Sequence, residues 1–134
     1  MEIELKYLFD DEASKDAIFN DKYILKVKDE GSETVTPMHA VYLDTQDSAL
    51  MKKEMAFRVR HEYSKYAATL KWGGSAEEGL HVRGELNVPV DEAFLEEPTL
   101  EVFKGSEIYD EITDIADSGK LIPVMEMNYV RREI

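Results

Sequence analysis

Residues 2–9 read EIELKYLF, a stretch in which charged and apolar side chains alternate. Successive side chains of a β-strand point to opposite faces, so Glu2, Glu4 and Lys6 would share one face while the apolar residues share the other. Residues 2–9 therefore predict a strand with one charged face and one apolar face.

The same separation recurs in later predicted strands. Their charged or polar faces would carry Arg58, Arg60, Lys71, Arg83, Glu85 and Asn87. A half-buried antiparallel sheet has one wet face, and for any single strand this explains the charges. Several strands that each present arginine, lysine or glutamate instead favour a barrel with a polar interior. A solvated open sheet is the alternative.

Periodicity and turn residues predict six or seven strands and two or three helices. The predicted strands cover residues 2–9, 22–28, 35–43, 55–62, 67–72, 80–90 and 121–131, and the helices cover residues 10–20, 48–53 and 107–118. Gly73 and Gly74 are expected to end a strand, Ser106 to cap the last helix and Gly119 to provide its left-handed C-terminal cap. The predicted fold is α+β, an antiparallel β-barrel with a few flanking helices.

Composition bounds the class of protein. A chain of 134 residues with 43% hydrophobic content can bury one core, so residues 1–134 are expected to form a single domain. Without cysteine it has no disulfide, thiolate metal site or thiol nucleophile. No apolar stretch reaches bilayer length and residues 1–9 do not resemble a signal peptide, so we expect a cytoplasmic protein without membrane contact.

Charge restricts the partners. The net charge of -13 opposes attraction to nucleic acid or to an anionic membrane. Residues 91–119 hold ten acidic residues against Lys104 alone, so the rest of the chain is nearly balanced. A polyanionic partner would need a local basic site. Arginine and lysine match phosphate oxygens and carboxylates hold magnesium or manganese, so the predicted charged faces fit a metal-bound triphosphate.

Several motifs, in order, resemble the CYTH superfamily of triphosphate tunnel metalloenzymes, which includes thiamine and inorganic triphosphatases and class IV adenylyl cyclases. Residues 2–6 match its hallmark Glu-x-Glu-x-Lys. The other similar motifs are Tyr42-Leu43-Asp44-Thr45, Ala56-Phe57-Arg58-Val59-Arg60, Thr69-Leu70-Lys71, Arg83-Gly84-Glu85 and Tyr129-Val130-Arg131-Arg132. The resemblance covers nearly the whole chain.

The resemblance implies a role for each matching residue. The triphosphate would be bound by Lys6, Arg58, Arg60, Lys71, Arg83 and one of Arg131 or Arg132. Glu2 and Glu4 would hold Mg²⁺ or Mn²⁺ with help from Glu85, and Glu2, Glu4 and Lys6 would form the catalytic group. We favour Arg131 over Arg132, although strand alternation groups Arg131 with Met125, Met127 and Tyr129, so both stay candidates. Asn87 stands where the family often has an acidic residue.

The implied activity is metal-dependent hydrolysis of a triphosphate, whether inorganic, nucleoside or thiamine triphosphate, by attack of water on the terminal phosphorus. A class IV adenylyl cyclase and a non-catalytic module that binds polyphosphate or a nucleotide are the alternatives. The three histidines are not expected to be catalysts, because none has a second histidine at ligand spacing.

Family members usually continue past residues 121–131 with an Asp-Gly hairpin and a Glu-x-Glu strand, which residues 1–134 lack. We expect either a fragment or a barrel that is completed by another chain, because an unpaired sheet edge invites pairing. The expected assembly is a homodimer or a strand-swapped form, to be checked by light scattering. A monodisperse monomer at high protein concentration would contradict this expectation.

Overall fold

The computed structural model describes the backbone of residues 1–134 and all side chains except those of residues 75 and 76. Its strands are β1 (Glu2–Leu5), β2 (Thr34–Asp44), β3 (Ala56–Glu62), β4 (Lys65–Glu77), β5 (Leu80–Val90) and β6 (Ile122–Glu133). Its α-helices are α1 (Glu12–Phe19), α2 (Lys22–Val27) and α3 (Tyr109–Ala116), and single 3-10 turns cover Met51–Lys53, Glu92–Leu95 and Leu100–Phe103.

The six strands form one antiparallel sheet in the order β1-β5-β4-β3-β2-β6. The sheet curls into a half-barrel with few helices, which confirms the predicted α+β fold. Strands β1 and β6 stand at its two edges, and the ladders of the described backbone do not join them. No helix in the described part of the chain has the length and apolarity to cross a membrane.

The hydrophobic core lies on one face of the central strands. Phe57 and Val59 of β3 and Leu70 of β4 are at most 1% exposed. They pack with Phe103 and Ile112, which come from the helical segment that precedes β6. Because strand residues alternate, the residues between them must face the other side of the sheet, away from this core.

Asp44, at the end of β2, organises the turn that leads to β3. Its buried carboxylate accepts hydrogen bonds from the backbone N–H groups of Thr45 (2.7 Å), Leu50 (2.9 Å) and Met51 (3.1 Å). The Thr45 hydroxyl accepts a further bond from Ala49 N–H at 3.0 Å. The helix predicted over residues 48–53 is reduced to a single 3-10 turn, Met51–Lys53, at the end of this turn.

The strand predicted over residues 22–28 is wrong, because this segment forms helix α2. The Asp21 carboxylate caps this helix by accepting hydrogen bonds from the backbone N–H groups of Tyr23 and Ile24 at 2.8 and 3.2 Å. The cap satisfies two otherwise unpaired donors and starts the helix despite the period-two charge pattern.

Strand β4 does not end at Gly73 and Gly74 as predicted. Both glycines have positive φ angles, of 62° and 119°, and form a bulge after which pairing with β5 resumes. A glycine also shapes the partner strand. Trp72 lies opposite Gly84, and a Cβ on Gly84 would lie 2.2 Å from the indole ring, so β5 approaches the ring closely only because no side chain intervenes.

The two predicted caps of α3 are wrong. The Ser106 hydroxyl donates to the Phe103 carbonyl at 2.6 Å, and the N-cap position is Ile108. The left-handed positions after the helix are Asp117 and Ser118. Gly119 is needed for space, since a Cβ there would lie 2.8 Å from the Ala116 carbonyl oxygen and 2.9 Å from the Thr45 methyl group.

The Asp44 contacts predict a large loss of stability for Asp44→Ala. Three backbone donors would lose their acceptor in a buried turn, which should lower the free energy of unfolding by about 2–4 kcal/mol. Urea denaturation checks this value, with Asp10→Ala as the matched control because Asp10 is exposed. Equal changes for the two variants would contradict the structural role of Asp44.

Candidate functional site

A cavity of about 560 Å³ opens on the face of the sheet opposite the core. We call it the charged cleft, and it is lined by Glu2, Glu4, Lys6, Tyr42, Ala56, Arg58, Arg60, Thr69, Lys71, Arg83, Glu85, Arg131 and Glu133. Six of these side chains are basic and four are acidic. The lining includes residues from both edge strands, so the sheet curls around the cleft.

Glu2 is the most strongly contacted acid of the charged cleft. Lys71 Nζ lies 2.8 Å from each of its two carboxylate oxygens, and Arg83 Nε donates to Oε2 at 2.9 Å. Arg83 is the direct register partner of Glu2, whereas Lys71 reaches across β5 from β4. One carboxylate therefore neutralises two bases from two strands.

These contacts change the pKa of Glu2. Partial burial raises the pKa of the carboxyl, but the hydrogen bonds and positive charges of Lys71 and Arg83 outweigh burial and lower the pKa from 4.5 to about 2. Glu2 is thus a carboxylate throughout the physiological pH range.

Glu4 forms a second, looser group. Its Oε1 atom lies 2.7 Å from Lys6 Nζ and 3.8 Å from Arg83 Nη2. The Lys6 ammonium holds the pKa of Glu4 below its usual value. This contact lacks hydrogen-bond geometry, however, and the buried Oε1 has no hydrogen-bond partner among the described residues.

Arg58 and Arg60 are the bases of the charged cleft that no acid neutralises. Among the described side chains, no carboxylate lies within 4.0 Å of either guanidinium. The Arg58 Nε atom is buried and has no hydrogen-bond partner in the same set. Because a buried unpaired donor is costly, its acceptor must come from outside the described protein atoms, as water or a ligand.

The structure separates Arg131 from Arg132. Arg131 lines the charged cleft and lies 3.8 Å from Glu133. Arg132 points to the other face, where it donates to Glu33 at 2.7 and 2.9 Å and stacks on the Phe19 ring at 3.9 Å. Of the two candidate arginines, the charged cleft thus contains Arg131, and the alternative of Arg132 does not fit this geometry.

The remaining predicted acid, Glu85, belongs to a short chain of polar contacts. Asn87 Nδ2 donates to Glu85 Oε1 at 3.1 Å, and the buried Thr69 hydroxyl donates to Asn87 Oδ1 at 2.6 Å. Sequence reasoning did not select Thr69, Tyr42 or Glu133 as lining residues. Thr69 and Glu133 each stand two residues from a selected residue of the same strand, and Tyr42 is the first residue of the motif over residues 42–45. These were the signals in the sequence that could have found them.

The acids of the charged cleft have the right chemistry for a hard divalent cation, which prefers carboxylate oxygens. Glu4 Oε1, which forms an ion pair with Lys6, and the carboxylates of Glu2 and Glu85 line the same cavity. The described side chains nevertheless contain no group of three or more potential ligands at metal-binding spacing. Oxygen atoms that could ligate a metal are therefore present, but they do not form one site, because Lys71 and Arg83 occupy the Glu2 carboxylate.

A larger groove, of about 1060 Å³, lies between α3 and the segment before it. Its charged lining residues are Glu96, Glu97, Glu101 and Lys120. This excess of negative charge would repel a phosphate. The charged cleft is therefore the better candidate for a phosphate site, although its volume is smaller.

The pKa of Glu2 predicts a pH-dependent contribution to stability. Because folding lowers this pKa from 4.5 to about 2, the ionised pair stabilises the fold fully above pH 4.5 and its contribution is lost as the pH falls from about 4.5 to about 2. The difference in free energy of unfolding between wild type and Glu2→Gln, measured with urea at several pH values, should therefore shrink below pH 4.5. Glu107→Gln, on the acidic helical side, is the control, and the same pH dependence for both variants would contradict the assignment.

Comparison with known proteins agrees with this geometry. The CYTH domain family matches residues 1–134. An inorganic triphosphatase of Haemophilus influenzae is 32% identical over 90 residues, which are 67% of this chain and 24% of that protein. This chain thus spans about a quarter of the length of that curated relative.

Solved structures show the same fold. A candidate adenylyl cyclase from Hippeastrum, described as having a dominant triphosphatase activity, matches with a TM-score of 0.75 and 19% identity over 98% of this chain and 66% of its own. A candidate adenylate cyclase from Bacillus halodurans matches with a TM-score of 0.60 and 24% identity over 99% of this chain and 64% of its own. The family match over all 134 residues shows that the chain belongs to the CYTH domain family.

Proposed function

We propose that this chain binds a triphosphate in the charged cleft and, with a divalent metal ion, hydrolyses its terminal phosphoric anhydride bond. Water would attack the terminal phosphorus and the bond to the bridging oxygen would break. With tripolyphosphate the products would be orthophosphate and diphosphate.

The observation that carries the proposal is the pair of unneutralised arginines in a chain of net charge -13. Arg58 and Arg60 are adjacent on the same face of β3, and the Arg58 Nε donor is buried without a partner among the described residues. Guanidinium groups form strong, oriented hydrogen bonds to phosphate oxygens. A bound phosphate chain would accept a hydrogen bond from Arg58 Nε and place its negative charge beside the two arginines.

The other bases would complete the phosphate contacts. Lys6, Lys71, Arg83 and Arg131 line the same cavity. Fixed positive charges in a partly desolvated cleft stabilise the charge that spreads over the phosphoryl oxygens in the transition state. Positioning and electrostatics would thus supply most of the catalysis, and no side-chain nucleophile is required.

The metal would be Mg²⁺ or Mn²⁺, held by Glu2 and Glu4 with help from Glu85. When bound, a divalent cation neutralises charge on phosphate oxygens and makes the phosphorus a better electrophile. The chain's own bases would hold the phosphate chain beside these acids. The triphosphatase relative and the dominant triphosphatase activity of the Hippeastrum protein support this reaction.

A nucleotidyl cyclase is the second candidate, since solved structures of this fold carry that designation. Its reaction would need a pocket that recognises the base, and the charged lining of the cleft offers no aromatic side chain other than Tyr42 among the described residues. A non-catalytic binding module is the third. The cyclase and the binding module would make the same phosphate contacts as the hydrolase. The cyclase would form a different product, and the binding module would form none.

Product analysis should separate these activities. We expect orthophosphate release from tripolyphosphate, ATP or thiamine triphosphate in the presence of Mn²⁺ or Mg²⁺, and none after chelation with EDTA. Cyclic AMP with diphosphate from ATP would establish the cyclase instead. Triphosphate binding, followed by calorimetry, without any turnover would leave the binding module.

Substitution should show which arginines bind the phosphates. Arg58→Ala and Arg60→Ala should each weaken metal-free binding of tripolyphosphate by roughly tenfold to a hundredfold, because a hydrogen bond to a charged group contributes about 1.5–3 kcal/mol. Arg132→Ala is the matched control, since it removes the same charge from the opposite face. Equal losses in all three variants would mean that only net charge matters, and no loss would favour a merely solvated sheet.

A further inference from the structure

The acids of the charged cleft fall into two states. Both oxygens of Glu2 are engaged, by Lys71 Nζ at 2.8 Å from each and by Arg83 Nε at 2.9 Å from Oε2. Glu85 contacts Asn87, and none of the described bases lies within 4.0 Å of its carboxylate. Glu2 is thus saturated with cations while another acid of the same cavity has none.

The position of Lys71 makes this distribution informative. Lys71 stands directly opposite Glu85 in the β4–β5 ladder, yet its ammonium extends over β5 to Glu2 on the edge strand. The side chains of Lys71 and Glu2 are only 15% and 20% exposed, so the pair is sheltered from solvent. Removing one partner from a sheltered ion pair with several hydrogen bonds costs free energy, because the remaining charge is left unpaired.

From these contacts we propose that Lys71 and Arg83 form a latch on Glu2, which a polyphosphate opens by drawing both bases away and so frees Glu2 to ligate a divalent cation. The inference rests on the proposed function, in that the charged cleft takes a polyphosphate together with a metal ion. It adds that the two ligands bind with positive cooperativity and that Glu2 is not a competent ligand for the metal alone.

The exchange is chemically balanced. A phosphate oxygen replaces the Glu2 carboxylate as the partner of Lys71 and Arg83, so the two bases lose no ionic contact. The freed carboxylate then faces phosphate and is repelled by it unless a cation lies between them. Each ligand thereby improves the site for the other, and by thermodynamic linkage the two effects must be equal in free energy.

The test uses Mn²⁺ alone, which avoids its complexation by phosphate in solution. Free Mn²⁺ is followed by its electron paramagnetic resonance signal during titration of the full chain. Wild type should bind Mn²⁺ weakly, and Arg83→Gln should bind it roughly tenfold more tightly because the latch is loosened. Lys71→Gln is a second latch variant, and thermal unfolding shows which of the two remains folded.

Arg60→Gln is the matched control, because it removes one positive charge from the same cavity without touching Glu2. We expect it to tighten Mn²⁺ binding by only about twofold, through general electrostatics. In a Glu2→Gln background, Arg83→Gln should likewise have only this small effect. An equal gain for Arg60→Gln and Arg83→Gln, or a gain from Arg83→Gln that persists without Glu2, would overturn the latch.

Failure of the latch can be told from failure of the proposed function. The Mn²⁺ titration needs no phosphate and no turnover, so it reports on Glu2 even if the chain hydrolyses nothing. Conversely, if wild type fails to bind tripolyphosphate while the Mn²⁺ titrations give the expected results, the triphosphate is the wrong ligand. The contacts of Glu2 with Lys71 and Arg83 would then control metal affinity alone.

Discussion

Strand β3 can present its side chains in only one way. Phe57 and Val59 lie in the core, and Arg58 and Arg60 line the cleft on the other side. A slip by one residue would bury two guanidinium groups among apolar side chains and expose a phenyl ring, at a free-energy cost that the fold could not absorb. The neighbouring strands obey the same parity through their ladders with β3, so the core and the charged cleft are two results of a single register.

The cleft keeps this concentration of charge tolerable by pairing most of it. Glu2 offsets Lys71 and Arg83, while Glu4 lies against Lys6. The pairing is uneven, because it leaves the centre of the sheet, at β3, positive and neutralises the edge at β1. A phosphate chain would meet its strongest attraction in the middle of the curved sheet, beside Arg58 and Arg60.

Alternation in the sequence was sufficient to predict that Arg58, Arg60 and Lys71 share one face of the sheet, because register in a half-buried sheet is strongly determined. It did not separate Arg131 from Arg132, which only the structure distinguishes. It predicted β5 and the core side of β3, and nine of the proposed site residues line one cavity. It failed at residues 22–28, where a capping aspartate outweighs a strand-like pattern. The caps predicted at Ser106 and Gly119 were also wrong, because the Ser106 hydroxyl bonds to a carbonyl three residues earlier and Gly119 packs against Thr45, which is distant in sequence. It also could not foresee that Lys71 would contact Glu2 instead of the acid opposite it, since that choice depends on the curl of the sheet.

The contact of Trp72 with Gly84 joins the two sides of the sheet at one point. Gly84 stands between Arg83 and Glu85, which line the cleft, and its missing side chain lets the indole rest against the backbone from the core side. Trp72 is also the single tryptophan of the chain. Its fluorescence therefore comes entirely from the back of the cleft floor, which gives the protein an intrinsic optical signal for events on the face that the indole does not touch.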